Sequence, residues 1–321
     1  MKPKWMKGAV LCGLLFAGSL CADTLTGTVQ SGGTDAVLPL SHAMVNLYQA
    51  DSNGTIKISR VRADDAGHFQ LDFKHVAAFT ENKIFYVVAT KNAQIKLVNI
   101  LGTHLPDDGH IIINEMTTVG AAYAMAQFFH GEQLLGDTQG LSIAAGMFDN
   151  LVSSRDGALS EVIKTSPNAD ETNSMRSISA LSNLLASCVQ ADACDALFKR
   201  TTLPNQTPSN TLEAALNIAH APAHNASKLF ELADEVVLYS PRLVTAPDAW
   251  TLAIKFNNSG SEDCPFGGPA KIAFDDKGFA WINNNVVQGT PDSAHCMIVL
   301  QPNGQPANGA QDTPKSPIIG G

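Results

Sequence analysis

Charge is scarce in this 321-residue chain, with Asp, Glu, Lys and Arg together at 16%. A hydrophobic share of 45% accompanies that scarcity, which excludes a disordered chain and points to packed cores. No apolar run beyond the first 22 residues approaches the ~20 residues that a membrane-spanning helix needs. Cysteine is equally sparse: six residues, none in a C-x-x-C spacing, so the usual zinc-ribbon or redox pattern is missing. The length leaves room for two or three domains, each with its own core.

What is present begins with a processing segment. Lys2, Lys4 and Lys7 form a positive start, Ala9 to Leu20 a short apolar run, and Leu20-Cys-Ala22 a cleavage region. Residues 1–22 therefore read as a signal peptide cut after Ala22. A lipoprotein cut before Cys21 is disfavoured because the bulky Leu20 stands where a small residue is wanted. Removing the segment takes three lysines and no acids, leaving 21 − 3 = 18 basic against 30 acidic residues, a net of −12. Nucleic acid and anionic membrane surfaces need clustered Lys and Arg and are excluded as partners. Four cysteines then remain, Cys188, Cys194, Cys264 and Cys296. In an oxidising compartment the local pairing, 188 with 194 and 264 with 296, is the simplest of three connectivities. A four-sulfur zinc site is the rival.

Residues 24 to about 100 alternate apolar and polar in short runs: Leu25–Val29, Ala43–Tyr48, Thr55–Val61, His68–Phe73, Ile84–Ala89 and Ile95–Val98. Turns rich in Asp, Asn and Gly separate them, the pattern of a small antiparallel, Ig-like β-sandwich. Gly27-Thr-Val, Leu40-Ser-His-Ala-Met-Val-Asn-Leu and Ala63-Asp-Asp-Ala-Gly-His-Phe-Gln-Leu together resemble the carboxypeptidase regulatory-like, prealbumin-type sandwich. That family pattern carries no catalytic residues, and Ala63 stands where it favours Thr.

At Ile111–Ile113 a β-branched run gives way to a nearly all-apolar helix, Met116 to Phe129, with Asn114 and Thr117 as caps. Helical spacing then places Leu141, Ala144, Ala145, Phe148 and Leu151 on one face, and Met175, Ile178, Leu181, Leu185 and Cys188 on another. Short helices follow at 193–200, 211–221 and 225–234, with loops at 154–173 and 201–209. From 241 strands return at 250–256, 270–274, 279–283 and 296–300. The string Ile272-Ala-Phe-Asp-Asp-Lys-Gly-Phe-Ala-Trp-Ile-Asn283, with Pro302-Asn-Gly304 behind it, resembles one blade of an NHL-type, streptogramin-lyase-like propeller. As a whole the order resembles the N-terminal region of exported bacterial NHL-repeat proteins. The expected fold is thus α+β and multidomain: sandwich at 23–101, all-α bundle at 110–240 and a single blade-like β segment at 241–321.

The chemistry-bearing groups are thinly spread. His104, Asp107, Asp108 and His110 could ligate a metal, but Pro-Asp-Asp-Gly there reads first as a solvated turn. His220 and His224 are four apart, yet Pro222 breaks the helix between them and no zincin Glu follows. Gly140-Leu-Ser142 approaches a nucleophile elbow without its second glycine or preceding strand. Asp51–Gly54 and Asp64–Gly67 lack the twelve-residue calcium pattern and read as hairpin turns. Glu115 reads as a first-turn acid facing the helix dipole, so Glu115→Gln should change little. These readings imply no catalytic set, no cofactor and no resident metal. The expectation is an exported, non-catalytic binding or structural module of the periplasm or cell surface, or a secreted one, with a protein, glycan or small-molecule ligand. The expected source is a Gram-negative-type bacterium. The alternative is a truncated propeller-type lyase or hydrolase relative, since such sites are assembled from several blades and one cannot complete them.

Overall fold

The computed structural model describes residues 22–33, 36–74, 83–103, 109–191, 193–287, 289–310 and 313–319. It is a mixed α+β chain with eight helices and several open sheets among those residues. β1 (Ala22–Gly32) is the centre of the first sheet. It pairs antiparallel with β2 (Val37–Pro39) and with β5 (His68–Lys74). A second sheet has the order β4–β3–β6–β7, from β3 (Met44–Asp51), β4 (Gly54–Arg62), β6 (Ile84–Thr90) and β7 (Lys96–Gly102). All its pairings are antiparallel. Alternation in β1 turns Leu25 and Val29 inward; Leu25 stands opposite Leu71 of β5, and Phe69 opposite Gly27. β6 is buried from Ile84 to Ala89 without alternation, so both its faces are covered. Helices supply one cover, and the apolar side of the first sheet belongs to the same hydrophobic cluster.

The β-branched run becomes β8 (His110–Ile113), which joins β1 in parallel, Gly27 opposite Ile111. Sheet one therefore departs from purely antiparallel order: the chain crosses from the second sheet back to the first before entering its helices. Helix α1 (Glu115–Met125) starts on a capping box. The Asn114 side chain accepts from the Thr117 amide at 2.9 Å, and the Thr117 hydroxyl accepts from the Asn114 amide at 3.1 Å. It stops four residues short of the expected end. Phe128 N–H closes a turn onto the Met125 carbonyl, and the chain leaves as a small hairpin, β9 (Phe129–His130) and β10 (Gln133–Leu134).

Next come α2 (Thr138–Leu151), the hairpin β11 (Val152–Ser153) and β12 (Ala158–Leu159), and α3 (Glu161–Lys164) and α4 (Asn168–Glu171). The stretch expected to be loop at 154–173 thus holds two single-turn helices. α5 (Ser174–Ala191), α6 (Cys194–Thr201), α7 (Thr211–His220) and α8 (Ala226–Ala233) complete the helical part. α1 lies against α2, α5 and α7 and over β7. β7 is an edge strand, and helix threonines satisfy its outward amides: Thr118 Oγ1 accepts from Val98 N–H at 3.0 Å, and Thr211 Oγ1 from Lys96 N–H at 3.0 Å. Sheets and helices share one continuous hydrophobic cluster from Leu25 to Trp250.

The expected strand at 250–256 is absent, because side chains take the backbone groups that a ladder would have used. Tyr123 OH donates to the Trp250 carbonyl at 2.6 Å. Ser174 Oγ donates to the Ala253 carbonyl and accepts from its amide, at 2.6 and 2.8 Å. Asn168 does the same to Lys255, at 3.0 and 2.7 Å. The segment is an extended strap laid over α4 and α5. The last sheet has the order β13 (Pro269–Phe274), β14 (Ala280–Asn284), β15 (Cys296–Leu300) and β16 (Ile318–Ile319). It carries its own small clusters, Cys264–Ile282–Ile298–Leu300 on one face and Phe279–Val299–Ala307 on the other.

Cys188 is bonded to Cys194 and Cys264 to Cys296. The four sulfurs are spent in covalent pairs, so the four-cysteine zinc alternative is overturned.

A polar cleft between α2 and the C-terminal sheet

The amphipathic pattern of α2 turns Leu141, Ala144, Phe148 and Leu151 into the core. Its other stripe, Gln139, Ser142, Gly146 and Asp149, returns every three or four residues and faces a cleft of about 570 Å³. Asp137 caps the helix, accepting from the Gly140 amide at 2.7 Å. The opposite wall is built by two turns of the last sheet, residues 275–278 and 301–304, and the floor by Gly102 and Thr103 at the end of β7.

Each turn is clamped to α2 by one amide side chain. Gln139 Nε2 donates to the Asp276 carbonyl at 2.6 Å, and Asn150 Nδ2 to the Asn303 carbonyl at 2.6 Å. Gly278, with φ +81°, lies so close to α2 that a Cβ there would meet Ile143 Cδ1 at 2.8 Å. The first turn is self-held. Asp275 accepts from Lys277 N–H, Phe279 N–H and Trp281 Nε1–H at 3.0, 2.9 and 2.8 Å. The Trp281 bond, followed by those amides, holds the Asp275 carboxyl below its ordinary value. The Lys277 ammonium and the Asp149 carboxylate make no hydrogen bond or ion pair of their own among the described residues and line the cleft. Protein around Asp149 strips water from its carboxyl and pushes its pKa up to about 6, while the solvent that still reaches the side chain works against that rise.

Ser142 lies in this cleft, but no histidine lines it among the described residues, and no hydrogen bond joins Ser142 to Asp149 or Lys277. His104, Asp107 and Asp108 lie outside the described residues. His110 opens β8, exposed and opposite Thr26. Among the described residues no group of three or more His, Cys, Asp or Glu could hold a metal. His220 ends α7 with Nε2 3.2 Å from the Ala126 carbonyl, and His224 lies beyond the helix against Asn225. The Asp51 and Asp64 carboxylates are occupied by backbone amides of their own turns, at 2.7 Å to Asn53 and 2.9 and 2.8 Å to Ala66 and His68.

Glu115 stands in the first turn of α1, as expected, and is fully enclosed. It is 0% exposed, accepting from Ser31 Oγ at 2.5 Å, Gly32 N–H at 3.0 Å and Tyr239 OH at 2.6 Å. Desolvation raises its pKa against the opposing pull of those three donors. Asn183 fixes the chain so that Tyr239 can reach it, accepting from the Leu238 and Tyr239 amides and donating to the Tyr239 carbonyl at 2.8, 2.9 and 2.9 Å. The cluster ties β1, the start of α1 and the chain after α8 together.

Sequence reasoning missed Asp149, Lys277, Gln301 and Asn303 as site residues. The polar stripe of α2 was visible in the sequence. Its partner turns, more than a hundred residues away, were not. No protein-family model matches the chain, and no curated protein does. Among solved structures a 9R-lipoxygenase from Cyanothece PCC8801 is similar at 12% identity and a TM-score of 0.21. The alignment covers 63% of this chain and 27% of that one. A likeness at that level carries no argument about fold or function.

Proposed function

We propose that the chain is an exported, non-catalytic binding module whose ligand site is the α2 cleft. In this reading residues 23–101 form a carboxypeptidase regulatory-like sandwich, 110–240 a helical bundle and 241–321 a blade of the NHL type. The observation that carries it is the cleft itself: a polar, open site with hydrogen-bonding side chains and two unpaired charges, but no nucleophile–base pair. Two disulfides, the signal-like N-terminus and the lack of any described helix able to cross a membrane support export. The test is a turnover screen of the purified mature chain, residues 23–321, against ester, peptide, glycoside and lyase substrates. The expected result is no turnover above buffer; robust turnover that Ser142→Ala abolishes would sink the reading.

A second reading, a propeller-type lyase or hydrolase relative needing further blades, is favoured by one observation. The edge strand β13 exposes Ile272 and Phe274, the latter at 74%, on a face where a neighbouring blade would pack. Genomic sequence beyond codon 321 tests it: the absence of in-frame blade repeats there rules it out.

A further inference from the structure

The cleft has a polarity along its length. Lys277 is held between Asp276, clamped by Gln139, and Gly278, packed on Ile143, which places it over the first two turns of α2. Asp149 belongs to the last turns of the same helix. From the centre of the first two turns to Asp149 is eight residues, about 12 Å at 1.5 Å per residue. The helix dipole has the same sense, with its positive end beside Lys277 and its negative end beside Asp149. Asp137 already caps the positive end of the dipole, so Lys277 is the group that would meet an anion at one end of the cleft, and Asp149 the group that would meet a cation at the other.

The Asp275 carboxylate attracts Lys277 through space, but it makes no ion pair with the ammonium and is held by Lys277 N–H, Phe279 N–H and Trp281 Nε1–H. Between the charged ends lie Ser142, Gln301 and Asn303, able to donate or accept, and the apolar Ile143, Ala145 and Pro302. Aromatic residues, which would offer a stacking platform for sugar rings, are missing from the lining among the described residues.

We propose that the cleft binds a short zwitterionic peptide of three or four residues, its free carboxylate at Lys277 and its free ammonium at Asp149. This rests on the binding-module reading above. An extended chain covers about 3.3–3.6 Å per residue, so three to four residues match the ~12 Å rise along α2 from the turns beside Lys277 to Asp149. The mid-cleft hydroxyl and amide groups meet the peptide bonds, and the small apolar patch takes one short side chain.

The test is isothermal titration calorimetry of the mature chain with trialanine and with N-acetyl-trialanine amide, which lacks both terminal charges. Lys277→Gln and Asp149→Asn are titrated in parallel, after thermal melts establish that each folds like the parent. Trialanine should bind. Each single substitution should weaken it roughly fivefold, the size of one solvent-exposed ion pair. The blocked peptide should lose both increments and be insensitive to the two substitutions. Ser142→Trp, which fills the cleft, should abolish binding. Absence of trialanine binding at millimolar concentration, or equal binding of the blocked peptide, overturns the inference. If maltotriose binds instead and Ser142→Trp abolishes that, the peptide class is wrong while the binding-module reading stands. Turnover in the screen described above would sink both.

Discussion

Glu115 joins β1, α1 and the chain after α8 through three donors, yet burial favours its neutral form. One carboxyl oxygen accepts from Ser31 Oγ, and the other from Gly32 N–H and Tyr239 OH. Gln keeps the size of the side chain and carries no charge to desolvate. The folded chain binds the Glu115 proton more tightly than the unfolded chain, whose value is near 4.5. Stability from this group is therefore fully present below that pH and declines as pH rises from it through the raised folded value. Glu115→Gln is expected to match the parent in urea titrations at mildly acidic pH and to equal or exceed it at mildly alkaline pH. Glu115→Ala leaves three buried donors without their acceptor and should cost roughly 2–4 kcal/mol at either pH. A Gln variant that lost stability as pH rose would contradict the neutral-acid account. The reading of Glu115 as a first-turn acid facing the helix dipole placed it in the right turn and did not include its buried partners. Its partners Ser31 and Tyr239 are separated from it by 84 and 124 residues, and no local pattern reports such distances.

At the level of elements, the junction tolerates no added atoms. Gly157 has φ +60°, and a Cβ there would meet Ile112 Cγ2 at 2.4 Å and Asn114 Nδ2 at 2.8 Å. Gly157→Ala combines a strained backbone with a clash against the capping residue of α1. A cost of about 1–3 kcal/mol is expected, read as a lower urea midpoint with unchanged slope. The strap at 250–256 supplies a second test. Asn168→Ala removes both its hydrogen bonds to Lys255 and should cost roughly 1–3 kcal/mol, with earlier proteolysis within the strap. The strap also shows where sequence patterning fails. Leu252 and Ile254 face the helices as alternate residues of a strand would, so the period was read correctly. Strand and strap differ only in who takes the backbone hydrogen bonds, and Ser174 and Asn168 are remote in sequence. The strands of the two N-terminal sheets and the Asn114–Thr117 cap were legible because alternation, turn chemistry and capping are local.

Across the whole molecule, sheets one and two and the helices share one core, whereas the last sheet relies on small clusters, one disulfide and two amide clamps. It should therefore open independently. Cys264→Ala with Cys296→Ala is expected to cost the last sheet about 2–4 kcal/mol. Hydrogen exchange should then accelerate in β13–β15 while β6 stays protected. Equal loss of protection in both would mean that the molecule unfolds as one unit. The cleft lies on this seam, which explains why its residues were hidden from the sequence: α2 supplies half, and turns more than 120 residues later supply the rest.

The most direct measurement is a ¹⁵N–¹H NMR titration of the mature chain with trialanine, following protein and peptide signals together. The account predicts shifts confined to α2, Gly102–Thr103 and the turns at 275–278 and 301–304, with the peptide recovered intact. Shifts centred elsewhere, or conversion of the peptide during the titration, would contradict it.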